Sequence, residues 1–233
     1  MCFIISSCTS VPEYIPGNYK EVYSQSFSSP KSINEFAFTD PDEWSISRGE
    51  EENFALDFSG KNEYVPEFRS PHSITLISNL KLSNFIMEAD ILQTGREYGH
   101  RDMCLFFGFQ DPSHYYYAHM ASQSDENAHN IFIVNNAPRT NISFISNEGI
   151  NWEDKKWHKI RLVRNIEEGT IRLFFNDMEE PVMEARDTTF TKGYIGFGSF
   201  DDSRRIDNIK IWAPEYEKIP VQFFKTKQNY SGT

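Results

Sequence analysis

Residues 96–120 read REYGHRDMCLFFGFQDPSHYYYAHM, two apolar runs around an Asp-Pro turn signal, bracketed by ionisable side chains. Phe, Tyr and other β-favouring residues dominate 103–109 and 115–121, so both runs are expected to be strands. Side chains alternate across a strand. Tyr116, Ala118 and Met120 therefore share one face, suited to a core. Tyr115, Tyr117 and His119 share the other, spaced about 6.6 Å apart.

Outward from this hairpin, short strand candidates recur at the spacing of sandwich folds: 54–58, 73–77, 85–92, 130–134, 158–163, 170–175, 193–200 and 206–212. Turn signals such as Ser59-Gly60, Glu168-Gly169 and Asn176-Asp177 separate them. No window holds an amphipathic helical pattern for three turns. In 85–91 the set Phe85, Met87, Ala89, Ile91 opposes Ile86, Glu88, Asp90, whereas 103–107 is apolar on both faces. That mixture fits central strands of two stacked sheets. The expected fold is an all-β, antiparallel, two-sheet jelly-roll sandwich.

The 233 residues are enough for one large all-β domain with a substantial core. A net charge of -11 argues against a nucleic-acid partner, which would require clustered Lys and Arg. Of the three cysteines, Cys104 lies inside an apolar run, where a free thiol behaves as a small hydrophobe. Cys8, in FIISSCTS, follows a stretch similar to a bacterial lipobox, although only seven residues precede it. The division expected is a truncated lipoprotein signal and tether over 1–22, the jelly roll over 23–214 and a polar tail over 215–233. A lipid on Cys8 would be the only membrane attachment and would place the chain on a bacterial cell envelope; secretion is the alternative.

Four segments in this order resemble the concanavalin A-like lectin/glucanase superfamily, in particular its laminin-G-like and bacterial secreted branches. They are PEFRSPHSITLI (66–77), FIMEADILQTGREYGHRDMCLFFGFQDPSHYYYAHMA (85–121), WHKIRLVRNIEEGTIRLFFND (157–177) and GYIGFGSFDDSRRIDNIKIW (193–212). The resemblance implies a polysaccharide or oligosaccharide partner. It leaves activity open, because that superfamily holds lectins, glycosidases, lyases and non-catalytic modules.

Three chemistries are open, and the residue types favour the first, an enzyme. A lyase acting on an acidic glycan by β-elimination needs a base, an acid and a carboxylate clamp. His119 or His100, Tyr117 and Arg101 supply those types, by chemistry and not by motif, since the RxEL, QxH and YxKxGxYxQ set of alginate lyases is missing. Arg69, His72, Arg96, Tyr98, Gln110, Tyr115, Asn135 and Arg139 are candidates for gripping the sugar. A non-catalytic glycan-binding module would use the same surface. A glycoside hydrolase would need two carboxyls. Glu88 and Asp90 match the start of a laminarinase-type E-x-D-x-x-E, but position 93 is Gln93. Asp201, Asp202 and Asp207 resemble the calcium-bearing edge of such sandwiches and make structural calcium the expected cofactor, if any.

Overall fold

The computed structural model describes residues 12–49 and 53–227. Two antiparallel sheets face each other. The larger has nine strands, running β11 (Ser143–Ser146), β14 (Met183–Arg186), β13 (Thr170–Phe175), β12 (Trp157–Asn165), β6 (Phe85–Gln93), β16 (Arg204–Ala213), β4 (Phe54–Phe58) and β3 (Trp44–Arg48). Its ninth strand, β1 (Lys20–Gln25), shares one edge of β16 with β4, each pairing with a different half. The other sheet runs β10 (Thr140–Asn141), β9 (Asn130–Asn135), β8 (His114–Ala121), β7 (Asp102–Asp111), β15 (Gly193–Ser199), β5 (Ser73–Leu82), β2 (Phe36–Phe38) and β17 (Lys225–Thr226). The expected all-β jelly roll is what forms, and the ten strands read from the sequence are β4 to β9, β12, β13, β15 and β16.

The alternation in the sequence decides the layers. Phe85, Met87, Ala89 and Ile91 of β6 meet Met103, Leu105, Phe107, Tyr116, Ala118 and Met120 of the facing sheet in the main core. Aromatic pairs run through this core, with Trp44 stacked on Phe58 at 4.7 Å and Phe107 on Tyr116 at 5.3 Å.

The outer face of the eight-stranded sheet is covered, and that of the nine-stranded sheet only in part. On the eight-stranded sheet Cys104, Phe106, Phe109, Tyr115, Tyr117 and Phe132 form a second apolar layer, overlaid by Tyr64, Phe68, Phe223 and Phe224. The cover comes from the segments before β5 and after β16. The stretch from 215, read in the sequence as a polar tail, is held there through residue 227. Glu217 pairs with Lys192 at 2.6 Å, Val221 N donates to Ser78 O, and Tyr194 Oη donates to Pro220 O. On the nine-stranded sheet Ile15 and Tyr19, read as tether, pack on Ile86 and Trp212. The lipobox-like segment around Cys8 lies outside the described residues. No helix among the described residues is long and apolar enough to cross a membrane.

A candidate binding site at the sandwich rim

Where β6 hands over to β7, β8 to β9 and β15 to β16, three loops meet at one end of the eight-stranded sheet. A cavity of about 300 Å³ opens there, lined by Arg69, Tyr98, His100, Asp102, His119, Asn127, Ala128, Arg139, Phe200 and Asp201. Tyr98 also lines a neighbouring hollow of about 550 Å³, where Glu97, Gln123, Glu148 and Asn151 supply polar groups.

Strand register builds the floor. Cys104 stands opposite His119 on β8, and Asp102 lies two residues along β7 on the same face. His119 Nε2 is 3.0 Å from Asp102 Oδ2, but without the alignment of a hydrogen bond. Its Nδ1 is 3.2 Å from the Asn127 carbonyl oxygen, to which it donates. Asp102 also accepts from the Ser199 hydroxyl and from Phe200 N at 3.2 Å. Burial alone would raise the Asp102 carboxyl, but His119, Arg204 and Ser199 hold it below the usual carboxylate range. Asp202 next to it behaves oppositely. Burial and the Asp102 charge push it up to about 6, while Tyr98 Oη and Asp102 N donate to its Oδ2, each at 2.8 Å.

Arg139 forms a wall. It reaches back along β9, its guanidinium 4.6 Å from the Phe132 ring centre and 5.1 Å from that of Phe200. It donates to Tyr117 Oη at 2.7 Å and to the Asn127 carbonyl at 2.8 Å. Opposite, His100 Nε2 meets Asp125 Oδ2 at 3.0 Å in the open.

Of the residues expected from sequence, Arg69, Tyr98, His100, His119, Arg139 and Asp201 thus converge on one cavity. The others do not. Tyr115 and Tyr117 lie on the expected face but are 1% and 0% exposed, because that face is an aromatic layer and not an open groove. Tyr117 is committed to Arg139, and burial pushes its phenol well up. Arg101 is buried and turned to the Glu153 carbonyl, away from the cavity, so it is no clamp. Gln110 and Asn135 sit at the opposite end of the hairpin, beside His114. Arg96 is exposed over the Tyr98 ring at 5.1 Å, and His72 is exposed with its ring edge toward Phe200. Neither lines the cavity.

The two carboxyls of the hydrolase reading are both engaged on the other sheet. Glu88 accepts from Tyr14 Oη at 2.6 Å and Arg161 Nε at 2.7 Å. Asp90 meets Lys159 and Asn208, each at 2.9 Å. The calcium triad also divides. Asp201 and Asp202 group with Asp102, whereas Asp207 lies further along β16, capping Asn208 N at 2.7 Å. The residues that sequence reasoning missed are Asp102 as the partner of His119, with Asn127 and Phe200. Only the β7–β8 register could have pointed to the first.

No protein-family model matches the chain, and no curated protein sequence matches it. Solved structures do. The carbohydrate binding module CBM66 from Bacillus subtilis superposes with a TM-score of 0.51 at 18% identity, covering 75% of this chain and 93% of that one. A Bacillus subtilis protein of unknown function with a galectin-like fold gives 0.55 at 14%, over 86% and 100%. Peanut lectin gives 0.53 at 9%, over 87% and 99%. The likeness is one of architecture: this chain is a two-sheet antiparallel jelly-roll sandwich, the fold of these structures.

Proposed function

We propose that the protein is a glycan-binding module that takes an acidic sugar unit at the rim of its eight-stranded sheet. The observation that supports this best is the pair of hollows divided by Tyr98. In the smaller one, two guanidinium groups and two imidazoles stand beside the Tyr98 and Phe200 rings, with Asp102 and Asp201 also in the lining, and the larger one has room for a further unit. Arg69 is exposed there, and Arg139 is held in place by two hydrogen bonds and two rings. A preformed guanidinium favours a carboxylate or sulfate, because little ordering remains to be done on binding. The similar solved structures include a carbohydrate binding module and a lectin, which fits this reading. Display on the cell envelope or secretion would bring such a module to its polysaccharide.

Binding without cleavage is favoured because the Tyr117 acid and the Glu88 carboxylate of the catalytic readings are already engaged. The Tyr117 phenol is sealed under Arg139, and the Glu88 carboxylate is neutralised by Arg161. Affinity electrophoresis on neutral and acidic polysaccharides tests the proposal. Retardation by an acidic glycan and release of no product is the expected result. Arg69→Ala should weaken binding roughly tenfold, about 1.4 kcal/mol, the size of a charge-assisted hydrogen bond. Retardation by no polysaccharide would sink the reading. A rise in unsaturated-uronate absorbance would replace it with elimination, with His100 as the exposed base.

A further inference from the structure

We propose that Asp102, Cys104 and His119 form a site for a divalent transition-metal ion of the zinc type, with its open position facing the cavity. Nothing in the glycan reading requires this site, and it stands or falls separately.

The donor set comes from sheet geometry. Cys104 and His119 are cross-strand partners, and Asp102 is two residues from Cys104 on the same face. All three are buried, and their ligand atoms lie within 4.8 Å of one another. Asp102 Oδ2 is 3.5 Å from Cys104 Sγ and 3.0 Å from His119 Nε2. A tetrahedral ion with bonds of 2.0–2.3 Å holds its ligand atoms roughly 3.3–3.6 Å apart, so the Asp102–Cys104 separation already fits and the Asp102–His119 one is about 0.3 Å short.

The imidazole supplies the second observation. Its Nδ1–H donates to the Asn127 carbonyl, which leaves Nε2 as the nitrogen facing Asp102. Nε2 is buried, makes no hydrogen bond and lies 3.0 Å from Asp102 Oδ2. A nitrogen and a carboxylate oxygen this close call for a cation between them, a proton or a metal ion. The far nitrogen donating to a backbone carbonyl is also how a metal-ligating histidine is oriented.

Charge and softness point to the same class of ion. Carboxylate and thiolate together balance a double positive charge. On binding, Cys104 Sγ–H gives its proton to solvent and no electrons move. A thiolate and an imidazole select zinc, cobalt or copper over calcium. Arg204 stays 4.0 Å from Asp102, donating to the Gly198 and Asp202 carbonyls, and does not take the place of the ion. Asp102 and His119 both line the cavity, so the fourth position opens to water or a ligand oxygen.

The test is a cobalt(II) titration of chelator-stripped protein in which Cys2→Ser and Cys8→Ser leave Cys104 as the only thiol. One equivalent should produce a thiolate-to-cobalt charge-transfer band that zinc bleaches, with a rise in Tm. Cys104→Ser should lose the band with an unchanged far-ultraviolet circular dichroism spectrum. His119→Gln should weaken uptake by roughly tenfold or more, at least what outer partners alone contribute. No band and no rise in Tm at excess cobalt or zinc would overturn the site and leave His119 as an imidazolium paired to Asp102. A band that survives Cys104→Ser would overturn it equally. Polysaccharide gels run on the stripped protein report on glycan binding separately.

Discussion

His129 is the side chain whose surroundings say most about its protonation. It is 0% exposed, with Nε2–H donating to Asn147 Oδ1 at 2.6 Å and Nδ1 accepting from Ala121 N. Burial lowers its pKa from 6.5 to about 4. Between those values the unfolded chain takes up a proton that the folded chain refuses, so stability falls as pH falls from about 6.5 to 4. The gap corresponds to about 3 kcal/mol. Urea midpoints across that window should drop more steeply for the wild type than for His129→Gln. The Glu88 site is a second case. Its carboxylate is buried between Tyr14 and Arg161, whose guanidinium stacks 3.6 Å from the Tyr14 ring centre. Glu88→Gln leaves Arg161 buried without a counter-charge and should cost about 3 kcal/mol in urea unfolding. Glycan retardation should be unchanged, because the residue lies on the other sheet. Residue type alone singled out Arg69, Tyr98, His100, His119 and Arg139, which share the cavity. It misjudged Arg101, since nothing at that scale says which way a side chain turns at a strand entry.

At the level of elements, apolar runs were legible as strands and mixed ones were not. Segments such as β6 and β7 announce themselves through aromatic and β-branched residues, whereas WSISR of β3, SFIS of β11 and MEAR of β14 are short, mixed and partly exposed. They become strands because a neighbour supplies hydrogen-bonding partners. Register breaks were equally hidden. β7 and β8 lose step between Phe107 and Asp111, where Gly108 takes φ +54°, and β15 shifts against β7 between Tyr194 and Gly196. A side chain on Gly193 would run into the Gly108 backbone across that irregularity. Gly193→Ala should therefore destabilise the protein by about 1–3 kcal/mol through forced strand separation. Thermal unfolding measures it, and an unchanged Tm would show that the two backbones can part freely.

Across the whole molecule, the alternation of Tyr115 and Tyr117 correctly assigned their face but could not reveal what lies over it. The cover is built from residues 40 or more positions away in sequence, Tyr64 and Phe68 on one side and Phe223 and Phe224 on the other. Phe223 stacks on Phe109 at 5.6 Å and meets Tyr194 edge-on at 5.8 Å. Phe223→Ala should cost about 1–2 kcal/mol, since each aromatic pair adds roughly 0.5–1.5 kcal/mol beyond area alone. It should also raise the binding of a hydrophobic dye as the second layer loosens; a silent dye signal would argue that the strap is not needed to seal it.

With the outer face of the eight-stranded sheet upholstered, the candidate chemistry gathers at one end, where loop side chains such as Arg69, Tyr98 and His100 stand over a floor of the strand residues Asp102 and His119. A library randomised at the exposed positions 96, 97, 100 and 123–126 should thus yield variants of altered ligand preference that melt close to the parent, which would make the frame reusable as a scaffold.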